Sequence, residues 1–134
     1  MINEGDNAIN FKMPIDDENF VTLDSFPDNN IVLYFYPKDD TPGCTREAID
    51  FTSHINAFKE CKTTIIGVSA DSISKHKKFI EKHKLEVILA SDEDKKVCED
   101  YGVWIEKSMY GKKFMGIERA TILIDKNRKI RKIW

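Results

Sequence analysis

One continuous apolar run, Ile31-Val32-Leu33-Tyr34-Phe35-Tyr36, ends abruptly at Pro37 and leads into Pro37-Lys38-Asp39-Asp40-Thr41-Pro42-Gly43-Cys44. The run is too short for a typical helix and is bounded by Asn30 and Pro37, the pattern of a strand buried on both faces. Beyond it, Ala48, Phe51, Ile55 and Phe58 recur at the spacing of one helix face. A cysteine thus sits where a buried strand gives way to a helix. Extending the helical stripe back by four residues reaches Cys44, so its sulfur faces the core side.

The local chemistry makes that placement useful. Thr41 is a good N-cap, and Pro42 then falls at the first helical position, where its missing N–H costs nothing. Cys44 becomes the third helical residue, beside unpaired backbone N–H groups and the positive end of the helix dipole. Both favour the thiolate over the thiol, and Gly43 leaves the approach to the sulfur open. On this placement alone Cys44 reads equally as a reactive thiolate or as an inert packed cysteine, because free cysteine is among the most buried residue types.

Size and charge narrow the field. The 134 residues have the length of one domain, residues 1–134, able to bury a core without disulfide staples. A formal charge of −2 points to neither nucleic acid nor an anionic membrane as partner. No apolar run has membrane-spanning length, and the opening Met1-Ile2-Asn3-Glu4-Gly5-Asp6 lacks the features of a signal peptide. Cysteines at 44, 61 and 98 are odd in number and include no C-x-x-C pair, so neither a disulfide framework nor a zinc or dithiol motif is indicated. A cytoplasmic protein with reduced thiols is the expectation.

In chain order, Phe11-Lys12-Met13-Pro14 and Phe20-Val21-Thr22-Leu23 read as two short strands joined by an acidic turn. The cysteine-bearing helix should run from Pro42 to Lys59. Residues 63–69 form a second buried strand, and Asp71 or Ser72 caps a helix reaching Lys84. That helix has a basic polar face (Lys75, Lys77, Lys78, Lys82, Lys84) that reads as solvated rather than phosphate-binding. Residues 87–90 form a third strand, and Ser91-Asp92-Glu93-Asp94 opens a short helix closed by Gly102. Residues 103–118 read as irregular, residues 120–124 as a strand, and residues 129–134 as its hairpin partner, with an edge that its lysines and arginines protect in part. The pattern predicts a mixed three-layer α/β domain with residues 31–36 and 63–69 parallel and joined by a right-handed crossover.

Other constellations are bland. No nucleotide-phosphate loop is present. His54, His76 and His83 share no metal-ligand spacing with the cysteines and read as surface histidines, so no metal and no cofactor is expected. Asp16-Asp17 and Asp39-Asp40 read as solvated turn residues, although acids near a thiolate oppose its ionisation; Asp39 and Asp40 must point away from Cys44 or be outweighed by a cation. Arg119 opens an apolar strand, where a charge is costly without a partner. It reads either as a strand-end arginine reaching solvent or as that cation.

The segment from Tyr36 to Ala48 (YPKDDTPGCTREA) resembles the active-site segment of the peroxiredoxins, especially the Q-type branch or bacterioferritin comigratory proteins. Pro37, Thr41 and Cys44 fit the family pattern P-x-x-x-T/S-x-x-C. Further similarities are Gly67-Val68-Ser69-Ala70-Asp71, Ser91-Asp92, Tyr101-Gly102-Val103-Trp104 and Glu118-Arg119-Ala120-Thr121, so the likeness covers nearly the whole chain. The resemblance implies a thioredoxin-like fold, a central mixed sheet flanked by helices, with an N-terminal β extension. It implies a thiol-dependent peroxidase in which Cys44 attacks a hydroperoxide and becomes a sulfenic acid. Pro37 would shield the pocket, Thr41 would orient sulfur and peroxide, Arg119 would stabilise the thiolate and the charge of O–O cleavage, and the N–H groups of Gly43 and Cys44 would complete the pocket.

The second half of the cycle departs from the family. The positions at which Q-type members carry a resolving cysteine are Ile49 and Ile80 here. Cys61 and Cys98 read as packing residues, Cys98 being the better candidate resolver. A one-cysteine cycle is expected, with an external thiol (thioredoxin, glutaredoxin or a small molecule) as reductant. The resemblance also implies a monomer or weak homodimer; family members usually carry a further helix covering the sheet beyond the strand that ends at Trp134, and whether one follows here is left open. A peroxide sensor built on the same cysteine is the alternative from another class. A thioredoxin-type dithiol oxidoreductase is disfavoured by the absence of C-x-x-C. Phe51, Trp104 and Met115 could line an apolar approach.

Overall fold

A computed structural model describes residues 2–134. The chain opens with a short antiparallel pair, β1 (Lys12–Pro14) and β2 (Phe20–Thr22). The intervening acidic turn is organised by Asp16, whose carboxylate accepts from the backbone N–H groups of Glu18 and Asn19. The apolar run forms β3 (Asn30–Phe35), followed by α1 (Pro42–Ser53) and α2 (Ile55–Glu60), β4 (Thr63–Ser69), α3 (Ile73–His83), β5 (Ile88–Ser91) and α4 (Lys96–Asp100). The hairpin β6 (Trp104–Met109) and β7 (Lys112–Ile117) precedes β8 (Ala120–Ile124) and β9 (Ile130–Ile133).

Five strands make the central mixed sheet, in the order β5-β4-β3-β8-β9. β3, β4 and β5 run parallel, as βαβ crossovers require, whereas β8 is antiparallel to both β3 and β9. β3 is covered on both faces, and its side chains divide alternately between two cores. Ile31, Leu33 and Phe35 join the cluster that holds Val97, Cys98 and Tyr101. Val32, Tyr34 and Tyr36 join the cluster that holds Cys44, Ala48 and Phe79. α1 to α3 therefore cover one face of the sheet; α4 and the lead-in strands cover the other.

The expected Pro42–Lys59 helix is broken at His54. The Ser53 hydroxyl and His54 Nδ1 both donate to the Asp50 carbonyl, at 2.8 and 2.9 Å, which is the acceptor that the His54 N–H would use in a continuous helix. That N–H turns instead to Phe51. Side chains competing for a backbone acceptor end the helix. Residues 103–118 are not irregular but form the β6–β7 ladder from Trp104↔Ile117 to Met109↔Lys112. Its turn is Tyr110-Gly111, both at positive φ (53° and 78°), the backbone of a two-residue primed turn. The signal was muted because tyrosine is an unusual occupant of a left-handed position. The short fourth helix starts at Lys96 rather than at Ser91, yet Asp92 still serves it, accepting from the N–H groups of Val97 and Cys98.

The predicted exposed edge at residues 129–134 is covered in part by the amino-terminal segment. Gly5 donates to Ile130, Ile130 to Asp6, and Ala8 to Arg128. Tyr101 fastens the same segment by exchanging hydrogen bonds with the backbone of Ile9. Among the described residues, no helix is long and apolar enough to cross a membrane.

The Tyr34 and Leu89 side chains lie so close over Gly67 that it cannot be enlarged. A Cβ there would lie 2.6 Å from Tyr34 Cζ and 2.8 Å from Leu89 Cδ2. Gly67→Ala should lower the urea midpoint by an amount equivalent to about 1–3 kcal/mol, the usual cost of overpacking a filled core. An unchanged midpoint would show that Tyr34 and Leu89 have room to move.

Candidate functional site

Cys44 is the third residue of α1 and is 2% exposed, packed among Tyr34, Tyr36 and Ala48. Thr41 occupies the N-cap with extended backbone, and its carbonyl accepts the first helical bond from Thr45. Its side chain does not cap, because the hydroxyl donates to the Lys38 carbonyl at 2.9 Å. Among the described residues, the first-turn N–H groups consequently lack a side-chain cap and remain directed at the space before the helix. Pro37 is exposed just beyond the end of β3.

Sheet register delivers the cation. β8 pairs with β3 so that Ala120 stands opposite Phe35, which places Arg119 beside the chain end from which α1 departs. Arg119 Nη2 donates to Cys44 Sγ at 3.1 Å, and Nη1 donates to Glu47 Oε1 at 2.6 Å. Gly43 leaves room for this arm: a Cβ at that position would already meet Nη2 at 3.4 Å. Burial weighs against the charged guanidinium, but the Cys44 sulfur and the Glu47 carboxylate together hold its proton more firmly than in an ordinary arginine. For Glu47 the balance is reversed, and burial lifts the carboxyl above its usual range despite the pull of Arg119. Glu47, three residues after Cys44 and on the same helix face, was not singled out from the sequence. That spacing was the only signal for it.

The acids that threatened the thiolate point elsewhere. Asp40 accepts from Lys82 and His83 of α3, and these two partners hold its carboxyl below the usual range. Asp39 is not solvated but 8% exposed, bonded to the Tyr36 hydroxyl and to His76. His76 is not a surface histidine either; it is 1% exposed in the core. Its helical position four residues after Ser72, amid lysines, gave no hint of burial. Asp39, Asp71 and His76 bring one ligand atom each within 4.8 Å of one another. The 2.6 Å Asp39–His76 separation is a hydrogen bond, shorter than the roughly 3 Å between two ligands held at ~2 Å from one metal ion.

The remaining thiols are separated from this centre. Cys98 is fully buried in the cluster on the opposite face of the sheet. Burial, followed by its contact with the Asp92 carboxylate, pushes its thiol far up from the ordinary value. Cys61 is exposed at the end of α2. Ile49 is exposed on α1 and Ile80 is partly buried against the Cys44 side of the core. A groove of about 480 Å³ opens beside Arg119, with Phe51 and Phe58 on its apolar wall. Trp104 and Met115, expected to share such an approach, do not line it.

With this geometry in place, comparison with known proteins is decisive. Residues 4–133 match the model of the AhpC/TSA family. The chain is 47% identical over 130 residues to peroxiredoxin Bcp of Bacillus subtilis, spanning 97% of this chain and 83% of that protein. It belongs to the AhpC/TSA family, in the Bcp or Q-type peroxiredoxin branch.

Identity to peroxiredoxin Bcp of Escherichia coli is 41% over 130 residues, again 97% of this chain and 83% of the relative. Among solved structures, a cysteine-to-serine mutant of PrxQ from Xylella fastidiosa superposes with a TM-score of 0.93 at 35% identity, covering 100% of this chain and 86% of that one. The Xanthomonas campestris bacterioferritin comigratory protein, studied for alkyl peroxide reduction, gives 0.86 at 36% identity over 92% and 79% of the two chains. As a peroxiredoxin with their thioredoxin fold, the protein is a thiol-dependent peroxidase.

The contrast between thiols has a direct consequence. In the native protein at pH 8, iodoacetamide should label Cys61 and leave Cys98 unmodified, because Cys98 remains a protonated, buried thiol until well above that pH. Peptide mass spectrometry reads the result. Labelling of Cys98 at the rate of Cys61 would contradict the burial described.

Proposed function

We propose that the protein reduces hydrogen peroxide and organic hydroperoxides through Cys44 in a one-cysteine cycle, drawing electrons from an external thiol. The observation that carries the reading is the 3.1 Å contact between Arg119 Nη2 and Cys44 Sγ. The thiolate attacks one peroxide oxygen; an S–O bond forms as the O–O bond breaks, and the departing oxygen takes a proton to leave as water or alcohol. Negative charge moves from sulfur to that oxygen, and a guanidinium fixed beside the sulfur stabilises it throughout. Glu47 keeps the guanidinium aimed. With its own hydrogen given to Lys38, the Thr41 hydroxyl retains lone pairs to accept from the hydroperoxide O–H. Gly43 and Cys44 supply backbone donors, and Pro37 limits solvent entry.

The reading of the reductive half rests on where the other thiols lie. Cys98 is walled off by the sheet, so an intramolecular disulfide would require Cys44 to leave one core for the other. An incoming thiolate instead attacks the sulfenic sulfur, expelling water and forming a mixed disulfide, which a second thiol resolves. Thioredoxin-type proteins, glutaredoxin and small thiols fit that role, and the chain acts as a monomer or weak homodimer. The phenylalanine wall beside Arg119 suits an alkyl chain on the peroxide.

One equivalent of peroxide followed by mass spectrometry without reductant tests this. A Cys44 peptide one oxygen atom heavier, converted to a mixed disulfide by added thiol and absent in Cys44→Ser, is expected. A Cys44–Cys98 link would contradict the one-cysteine cycle.

A further inference from the structure

Beneath the loop that leads into α1 lies a buried polar group with no part in the peroxide chemistry. His76 of α3 has both ring nitrogens engaged. Nε2 lies 3.0 Å from the Ala90 carbonyl and Nδ1 lies 2.6 Å from Asp39 Oδ2. A carbonyl can only accept, so Nε2 carries a hydrogen. A carboxylate oxygen and a bare ring nitrogen are both acceptors, and at 2.6 Å a hydrogen must lie between them. Asp39 Oδ1 takes the Tyr36 hydroxyl at 2.5 Å, and the Asp39 N–H donates to Asp71 Oδ2 at 2.7 Å, an oxygen that also accepts from the Ser69 hydroxyl. Asp39 is thus fastened at three polar atoms to the end of β3, to α3 and to the turn after β4.

We infer that Asp39 and His76 are positioning residues for the reactive cysteine, clamping the loop before α1 to α3 through one shared, buried proton. Two residues separate Asp39 from Pro42, the first residue of α1, so whatever fixes Asp39 fixes the entry of the helix that carries Cys44. The neighbouring Asp40 ties the same loop to Lys82 and His83, but its carboxylate is 43% exposed, and exposed pairs contribute little. The buried tie is the stiff one, since stripping a partner from an interior charged group is expensive. Arg119 reaches the sulfur from the residue just before β8, so only a fixed α1 keeps the two in register. A drift of ~1 Å at a reacting centre is enough to cost about a hundredfold in rate.

The inference rests on Cys44 being the peroxide-reactive thiol, and the experiment keeps the two apart. His76→Gln retains a nitrogen for the Ala90 carbonyl but withdraws the partner of Asp39. Asp39→Asn retains both side-chain bonds, its oxygen accepting from Tyr36 and its NH₂ donating to Nδ1. Leu23→Ala weakens the core on the other face of the sheet and serves as a stability control. In rapid mixing of the full chain with peroxide, His76→Gln should slow oxidation of Cys44 about tenfold or more, and Asp39→Asn should stay within about threefold of wild type. Alkylation of Cys44 by iodoacetamide, which needs the thiolate but no stabilised O–O cleavage, should fall by a smaller factor than peroxide oxidation does in His76→Gln. Leu23→Ala should lower the melting temperature without slowing oxidation. The inference is overturned if His76→Gln reacts at the wild-type rate, or if Leu23→Ala slows oxidation as much as His76→Gln does. Peroxide consumption that survives Cys44→Ser would instead overturn the functional reading itself.

Discussion

Everything in this site depends on the pairing of β8 with β3. Arg119 and Cys44 are seventy-five residues apart, and no local preference could bring them together. The antiparallel register that sets Ala120 opposite Phe35 does so, because it stops Arg119 beside the point where the chain leaves β3 for α1. Side chains alternate across a sheet with period two, so a slip of one residue would turn Arg119 to the other face. The register is protected by the apolar contacts of Ile122 and Ile124, both fully buried. Core packing and the Arg119–Cys44 contact are therefore specified by the same set of cross-strand pairs.

The parallel half of the sheet contributes in a different way. β3, β4 and β5 end at the same edge, and their carboxyl ends supply Tyr36, Ser69, Asp71 and the Ala90 carbonyl, the crevice where α/β folds gather ligands and polar groups. Here those groups form an inner frame beneath the loop 37–41, while Arg119 and Glu47 are bonded to each other beside the Cys44 sulfur. The partition keeps the carboxylates of two aspartates that closely precede Cys44 in sequence bonded away from its sulfur. Asp39 is consumed by the frame and Asp40 by the basic side of α3.

Much of this was legible in the chain. The β3 run, the helix entry at Pro42, the depth of Cys44 and the parallel crossover follow from local pattern, because each is governed by neighbours within a few residues. The meeting of Arg119 with Cys44 was reached only through resemblance to the peroxiredoxins, since it depends on strand register. The His54 break was hidden because it comes from two side chains capturing one carbonyl rather than from proline or glycine. The β6–β7 hairpin was hidden by a tyrosine in its turn. His76 was misread as solvated because its neighbours on α3 are lysines; its burial is explained by two partners distant in sequence, Asp39 and the Ala90 carbonyl. The lead-in segment lying against β9 was likewise invisible, being a long-range contact made largely through backbone hydrogen bonds.

The central claim is that a guanidinium supplied by β8 makes Cys44 reactive toward peroxide. Its most direct test is the second-order rate of Cys44 oxidation in wild type and Arg119→Ala, followed by rapid mixing at one pH and low ionic strength. The contact predicts a fall of roughly a hundredfold or more in Arg119→Ala, the usual cost of removing one charge-stabilising donor from a reacting centre. An Arg119→Ala protein that folds normally and reacts with peroxide at the wild-type rate would contradict it.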